Sequence, residues 1–325
     1  MTLLQSFASF LKYPPFLALS VVALSLIIDA LIGDPERIHP VRGIGFLISR
    51  MEGFFYRLKN RIVGGSLLIL AVMTISLGLT ALALFISWTD ILVYLILSAI
   101  LLKFMFAFRS MGDHIRRVLR GLDKGNLEEA RQSISLMVRR DTTNMPESLI
   151  CSAAIESISE GFVDGFANSM FFFSLFGVLG SVFARVASTF DSMVAYRNSR
   201  YNLFGRGAAY LDTAVNYVPA RISIAAFAPA TLLMGFRIPG LKEMRQQSGN
   251  LESINAGWPI SYFALSMGIR LEKSGHYVVN ANGREPGAQD IRKAMALFRI
   301  SGLIFIVEFV LPLILFLYIL GINFF

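Results

Sequence analysis

Carboxylates and arginines recur at helical spacing through the middle of the chain. Glu156 and Glu160 stand four residues apart in AIESISEGFVDG, and Asp164 follows within a turn. Residues four apart share a helix face, and like charges there repel unless something neutralises them. A divalent cation or an ammonium group would do so, and magnesium prefers hard oxygen ligands. The plain alternative is a solvated acidic face. A second polar set runs from Asp191 through Arg197, Arg200, Tyr201, Asp212, Asn216 and Tyr217 to Arg221. Its arginines have the fork that clamps phosphate oxygens. Asp191 and Asp212 can complete an ion site or take a proton; internal salt bridges are the competing reading. Upstream, Arg139 and Arg140 suit either a phosphate site or the last turn of a helix, with Asp141 beside them. Asp29 sits near the lipid boundary and Asp34 just beyond it, where Gly33 and Pro35 break the helix, near His39 and Arg42, as a capped turn or as a carboxylate pair held for chemistry. Asn255 and Gly257 offer a small polar group and an approachable backbone, or a plain cap and turn.

The elements that carry these residues are mostly apolar. The chain has 325 residues, 55% hydrophobic and only 16% charged, where a soluble protein carries about 25%. Residues 16–32, 62–86, 91–108 and 298–320 form runs suited to crossing roughly 30 Å of hydrocarbon. The net charge of +8 comes from basic residues between the runs, as in Arg37, Arg42, Arg50, Arg57, Lys59 and Arg61. That pattern places these segments inside and the turn at 88–90 outside. It does not resemble a nucleic-acid-binding surface. Cys151 is the single cysteine, so neither an internal disulfide nor a cysteine metal cluster forms. No small-residue cleavage pattern follows the first run, which reads as a retained span.

The expected fold is all-α: a polytopic integral membrane protein with a helical catalytic region on the cytoplasmic face and re-entrant or interfacial helices. One membrane-embedded domain covers 1–325, with N-terminal spans and an interfacial segment at 14–108, a polar catalytic region at 109–297 and a membrane helix at 298–325. Residues 44–58 read as an amphipathic interfacial helix. Residues 166–184 read as a re-entrant or in-plane element, or a helical hairpin broken near Gly177 and Gly180. Lys103 is expected to snorkel to the interface. Asn126 caps one helix; Asn144 and Pro146 take the N-cap and first position of another. Pro219 ends or bends its helix, leaving 222–236 as a short buried or interfacial helix. Glu308 is expected to face protein rather than lipid.

Several of these stretches resemble one family in order along the chain: DALIGDPE from Asp29 with the following HPV, VRRDT at 138–142, AIESISEGFVDG at 154–165, TFDSMVAYRNSRYNLFG at 189–205, AAYLDTAVNYVPAR at 208–221 and INAGWP at 254–259. The chain resembles the adenosylcobinamide-phosphate synthase (cobinamide synthase) family of cobalamin-biosynthesis membrane proteins. The resemblance implies ATP-dependent amide ligation of an amino-alcohol phosphate to adenosylcobyric acid, giving adenosylcobinamide phosphate. ATP and Mg2+ are the implied cofactors and the adenosylated corrinoid is the substrate. Membrane lipid and other corrinoid-assembly enzymes are the implied partners; nucleic acid is not. The implied location is the inner (cytoplasmic) membrane, multi-pass, with the active face cytoplasmic.

Asp34, Asp141, Glu156, Glu160, Asp164, Asp191 and Asp212 fall on the family's acidic positions, and Arg140, Arg221 and Asn216 on its basic and amide positions. The resulting hypothesis gives catalysis to Glu156, Glu160, Asp191 and Asp212. It gives cofactor binding to Arg140, Arg197, Asn216, Arg221 and Asn255, and metal binding to Asp34, Asp141, Glu156, Glu160 and Asp164. Departures occur at Gly161 after Glu160, at Thr213 after Asp212, at Ile254 and at Ser188-Thr189. They leave open whether aminopropanol or ethanolamine phosphate is used. A transporter for a corrinoid or another anion and a magnesium-dependent membrane transferase are the alternatives. No Walker-type loop is present.

Overall fold

The computed structural model describes residues 13–34, 39–196, 198–322 and Phe324. Among these, five helical stretches are long and apolar enough to cross a bilayer: Pro14–Ile32, Arg61–Ser87, Ile91–Asp123, Glu147–Val194 and Ala288–Ile319. The protein is an all-α polytopic membrane protein. Its chain divides into two compact units, each assembled from separate stretches. The first is Met1–Ala107, Asn168–Val215 and Phe309–Phe325; the second is Phe108–Ala167 and Asn216–Glu308.

In the first unit, α1 (Pro14–Ile32) opens on two prolines, whose missing N–H groups cost nothing at a helix start. It packs on α4 (Ile91–Lys103). Helix α2 (Pro40–Tyr56) buries Ile44 and Ile48 and leaves Arg50 exposed, as a one-sided interfacial helix should. Asn60 caps α3 (Arg61–Ser87), accepting from the Ile62 N–H at 3.0 Å, and Asp90 caps α4, accepting from Leu92 at 2.8 Å. Helix α8 (Asn168–Val194) is interrupted at Phe176 and at Gly177, whose φ is +62°, a conformation that favours glycine. The Ser181 hydroxyl donates to the Ser169 carbonyl at 2.7 Å, although twelve residues of straight helix span about 18 Å. A Cβ on Gly180 would lie 2.1 Å from the Phe172 carbonyl oxygen. Of the forms expected for 166–184, the chain adopts the helical hairpin, broken at Gly177. Short α9 (Tyr201–Phe204) leads into α10 (Arg206–Leu233).

The second unit begins with α5 (Phe108–Asp123) and α6 (Leu127–Ser135). Asn126 caps α6 as expected, accepting from the Glu129 N–H at 3.1 Å. Helix α7 (Glu147–Phe162) has Pro146 as its N-cap: Pro146, expected at the first helical position, is the cap itself, and the expected cap Asn144 lies two residues before it. A π-helical turn, Val163–Ala167, ends it. Helices α11 (Leu241–Ser248) and α12 (Gly257–Met267) precede a hairpin of β1 (Leu271–Lys273) and β2 (Tyr277–Val279), then α13 (Ala288–Phe305). The core is aromatic: the Phe162 ring lies 4.7 Å from Phe227 and 5.6 Å from Phe298 between ring centres.

Two expectations are corrected. Pro219 does not end its helix: α10 runs through both Pro219 and Pro229, so 222–236 is not a separate short helix. A helical proline removes one hydrogen bond and crowds one carbonyl, and membrane helices tolerate that when neighbouring groups take up the freed atoms. Glu308 lies in a second π-helical turn (Ile306–Val310) between α13 and α14 (Leu311–Ile319). It is exposed on the single chain rather than covered by it.

Candidate functional site

In the second unit the strongest polar constellation forms where α7 meets the β-hairpin. Glu156, one turn beyond Ser152 on α7, is 4% exposed. Its Oε2 accepts from Arg140 Nη2 at 2.8 Å and from the Tyr277 hydroxyl at 2.9 Å. Its Oε1 accepts from the Ser152 hydroxyl at 2.7 Å. Ser152 in turn accepts from the Glu272 N–H at 2.7 Å, and Arg140 Nη1 donates to the Glu272 carbonyl at 3.2 Å. One carboxylate thus ties α7, the segment before it and both strands into one network. Burial, then the charges of Glu156 and Glu160, hold the Tyr277 phenol well above its ordinary range, so it stays a donor.

A buried carboxylate with three donors on it is satisfied. Its output is the orientation of Arg140. The guanidinium has five N–H donors, two of which make these contacts. It lines a cleft of about 340 Å³ with Asp141, Asn144, Met145, Pro146, Leu149 and Ser274. A neighbouring cleft of about 210 Å³ shares Pro146 and Leu149 and is walled by Ser152, Arg270 and Glu272. Both open at the N-terminus of α7, an end that favours anions. Asp141 is exposed; its Oδ1 accepts from the Thr143 N–H at 2.9 Å and from its hydroxyl at 2.6 Å, which holds its carboxyl below the usual range.

The other expected residues of this unit lie as follows. Glu160 is exposed one turn beyond Glu156, and Asp164 is half-buried in the π-helical turn. Asn216 is buried. Arg221 and Asn255 come together: Arg221 Nη1 donates to Asn255 Oδ1 at 2.9 Å and to the Tyr217 carbonyl at 2.7 Å. Its guanidinium lies 3.5 Å from the Tyr217 ring centre and 5.6 Å from that of Trp258. Stacking of this kind fixes an arginine while leaving its edge available.

The first unit holds Asp34, Asp191 and Asp212. Ala184 and Ala187 of α8 pack with Leu211 and Val215 of α10; Asp191 follows one turn after Ala187, and Asp212 adjoins Leu211. Arg200 is engaged by Glu52 at 2.7 Å. Arg197 and the two motif residues after Asp34, Pro35 and Glu36, lie outside the described residues. Asp34 pairs with Lys103, whose ammonium is also 3.9 Å from Asp29, and His39 Nε2 is 3.7 Å from Asp34. Lys103 is therefore not a snorkelling anchor: it is 1% exposed, turned inward to two carboxylates.

A carboxylate cage for magnesium is not assembled. Among the described residues no group of three or more His, Cys, Asp or Glu side chains is gathered to hold a metal ion. Glu156, expected as a ligand, is taken by Arg140, Ser152 and Tyr277. With Glu156 so engaged, the described residues offer no ready-made carboxylate cluster for a resident metal. Sequence reasoning missed Ser152, Tyr277 and Lys103 as members of these networks. A serine one turn before Glu156 was a visible signal; nothing in the spacing pointed to Tyr277.

Fold and site define a polytopic helical membrane protein with buried arginine–carboxylate and lysine–carboxylate networks. The CobD/Cbib protein family model matches residues 22–298. The chain is 42% identical over 290 residues to the probable cobalamin biosynthesis protein CobD of Thermoplasma volcanium, covering 89% of this chain and 95% of that one. It is 35% identical over 298 residues to the corresponding Pyrococcus furiosus protein, with 91% and 97% covered. It is 33% identical over 301 residues to the cobalamin biosynthesis protein CobD of Rhodobacter capsulatus, with 87% and 93% covered. The search of solved structures finds no match. The chain belongs to the CobD/Cbib family of cobalamin-biosynthesis proteins.

Proposed function

We propose that the protein joins an amino-alcohol phosphate to a side-chain carboxylate of adenosylcobyric acid in an ATP-dependent amide ligation. The observation that carries the reading is Arg140, fixed by Glu156 on the wall of a 340 Å³ cleft. That volume is near the lower end of the roughly 300–1,000 Å³ of small-ligand sites. It suits a short phosphorylated amine and is far too small for a corrinoid. Arg140 holds the phosphate, the α7 N-terminus adds its partial positive charge, and exposed Asp141 is the carboxylate nearest in sequence to receive the ammonium.

A carboxylate is a poor acceptor for an amine and needs activation. On this proposal a corrinoid carboxylate oxygen attacks the γ-phosphorus of ATP and releases ADP. The amine nitrogen then attacks the acyl carbon, forming the C–N bond, expelling phosphate and losing a proton to a base. Glu160, Asp191 and Asp212 remain the candidate bases and Arg221 the candidate phosphate clamp, with Asn216 and Asn255 supporting ligand binding. Magnesium enters only as the counter-ion carried by ATP. The active face is proposed to be cytoplasmic, following the basic segments between spans.

The test is product mass analysis. Purified protein receives adenosylcobyric acid, magnesium-ATP and competing aminopropanol and ethanolamine phosphates. A new amide-linked mass that requires ATP supports the reading and reports the preference. ATP-independent uptake of corrinoid into vesicles, with no new mass, would replace it with a transporter.

A further inference from the structure

A second basic site lies outside the Arg140 network. A groove of about 430 Å³ is lined by Asp113, Arg116, Arg117, Leu119, Arg120, Asp123 and Arg292. Asp113 is engaged by Arg116 and lies 3.7 Å from Arg109; Asp123 is engaged by Arg292. Arg117 rests 3.3 Å from His114 Nδ1. Among the described residues no carboxylate pairs with Arg117 or Arg120, so the groove holds two guanidiniums in excess. One more cation, Arg299, stands at its rim beside Arg116. The guanidiniums of Arg299 and Arg116 lie 3.0 and 3.7 Å from where a Cβ on Gly112 would be. Like charges gathered this way repel until an anion joins them.

The groove's depth relative to the bilayer can be read along α13. Arg299 stands near the start of the apolar part of the candidate span Ala288–Ile319, and no charged residue follows it until Glu308. Arg292 is seven residues before Arg299, about 10 Å along the axis of a helix. The polar layer on each face of a bilayer is about 5–8 Å thick. A groove rimmed by Arg299 and walled by Arg292 therefore runs from the edge of the hydrocarbon through the headgroup layer and a few ångströms past it. The other wall, α5, buries Gly112, Ile115, Val118 and Gly121, leaves Arg116 and Arg120 exposed and keeps Arg117 half-buried. Four residues separate it from the end of the apolar helix α4.

We propose that this groove binds the phosphate of an anionic phospholipid headgroup, with Arg117 and Arg120 as the principal donors. The site is separate from the ligation site and does not rest on the ligation reading. The probe is phosphatidylglycerol, with phosphatidylcholine as the zwitterionic comparison. Protein is reconstituted in vesicles of each, extracted gently and weighed by native mass spectrometry for retained lipid. Each basic side chain near an anionic surface contributes about fivefold in affinity, so R117Q/R120Q should lower phosphatidylglycerol retention roughly 30-fold. R117K/R120K should keep most of it, because charge rather than fork geometry dominates at a membrane surface. Circular dichroism in detergent checks that the variants are folded. Retention should fall as salt rises. Equal retention by wild type and R117Q/R120Q, or equal retention of both lipids, would overturn the proposal. So would displacement of phosphatidylglycerol by inorganic phosphate or glycerol phosphate at matched concentration, which would make the groove a site for soluble phosphate esters.

Discussion

Replacing Glu156 by glutamine separates two roles that one residue could hold. The carboxylate accepts from Ser152, Arg140 and Tyr277 at 2.7, 2.8 and 2.9 Å. A glutamine of the same shape can keep its amide oxygen under Arg140 and Tyr277. Its NH2 then faces Ser152, whose hydroxyl can reverse: the Glu272 carbonyl lies 3.2 Å away and can accept the hydrogen. The hydrogen bonds survive in number, and only their charge assistance is lost. That difference costs about 1–2 kcal/mol. Glu156→Ala, which leaves the mostly buried Arg140 cation without its partner, should cost about 3–5 kcal/mol. If Glu156 acts by orienting Arg140, E156Q loosens the phosphate clamp. KM for the amino-alcohol phosphate should rise roughly tenfold, the equivalent of about 1.4 kcal/mol, with kcat changed little. If Glu156 were a base or metal ligand, kcat would drop by about 10²–10⁴. The assay is steady-state amide formation by mass spectrometry across amino-alcohol phosphate concentrations, beside thermal unfolding in detergent. A collapse of kcat at unchanged KM refutes the positioning role.

Three further outcomes follow from the geometry. K103M should destabilise the protein by about 3–5 kcal/mol, because it leaves Asp29 and Asp34 without their buried cation; the neutral triple variant D29N/D34N/K103M should recover most of the loss in thermal unfolding. Tyr277 titrates above its ordinary range because of burial and then the Glu156 and Glu160 charges. The stability it adds is complete below about pH 10, the unfolded value, and is lost as pH rises from there towards the higher folded value. Y277F should flatten that alkaline fall in a pH series of unfolding midpoints; an unchanged slope would count against the Glu156–Tyr277 contact. G180V should abolish stable expression or cost several kcal/mol, since even a Cβ would stand 2.1 Å from the Phe172 carbonyl oxygen; a wild-type midpoint would show that 168–194 is not the tight hairpin described.

How legible each feature was depends on the range of its cause. The spans, the Asn126 cap and the break at Gly177 are set by neighbours in sequence, so periodicity and residue type revealed them. Pro219 does not end its helix, because the surroundings of a long membrane helix override that part of the local rule. Lys103 misled for a different reason. Near the end of an apolar run, snorkelling and inward burial look the same in sequence, and Asp34, sixty-nine residues away, decides between them. The partners of Glu156 divide in the same way. Ser152 is one turn away and legible, whereas Tyr277 is 121 residues away and arrives only with the hairpin. The acidic residues themselves stood out; what each one does depended on which cation reached it.

That dependence bears on why the charges are present. A buried ion pair contributes little net stability compared with well-packed apolar side chains of similar volume. This chain, 55% hydrophobic, has no shortage of such side chains. Yet each compact unit encloses a cation among acceptors: Lys103 with Asp29 and Asp34 in one, Arg140 with Glu156 and the Glu272 carbonyl in the other. Simple packing would be served as well by leucine and methionine at those positions. The Arg140 network also has an outlet that apolar residues could not supply, because its guanidinium borders a cleft sized for a small anion. In the other unit Lys103 is itself 1% exposed and lies between Asp29 and the partly exposed Asp34, so its charge serves the turn after the first span. The two networks should therefore respond differently to neutralisation. Removing every charge from the Lys103 set should restore folding and leave ligation measurable, whereas a neutral Arg140–Glu156 pair should fold and lose the phosphate-dependent part of substrate binding.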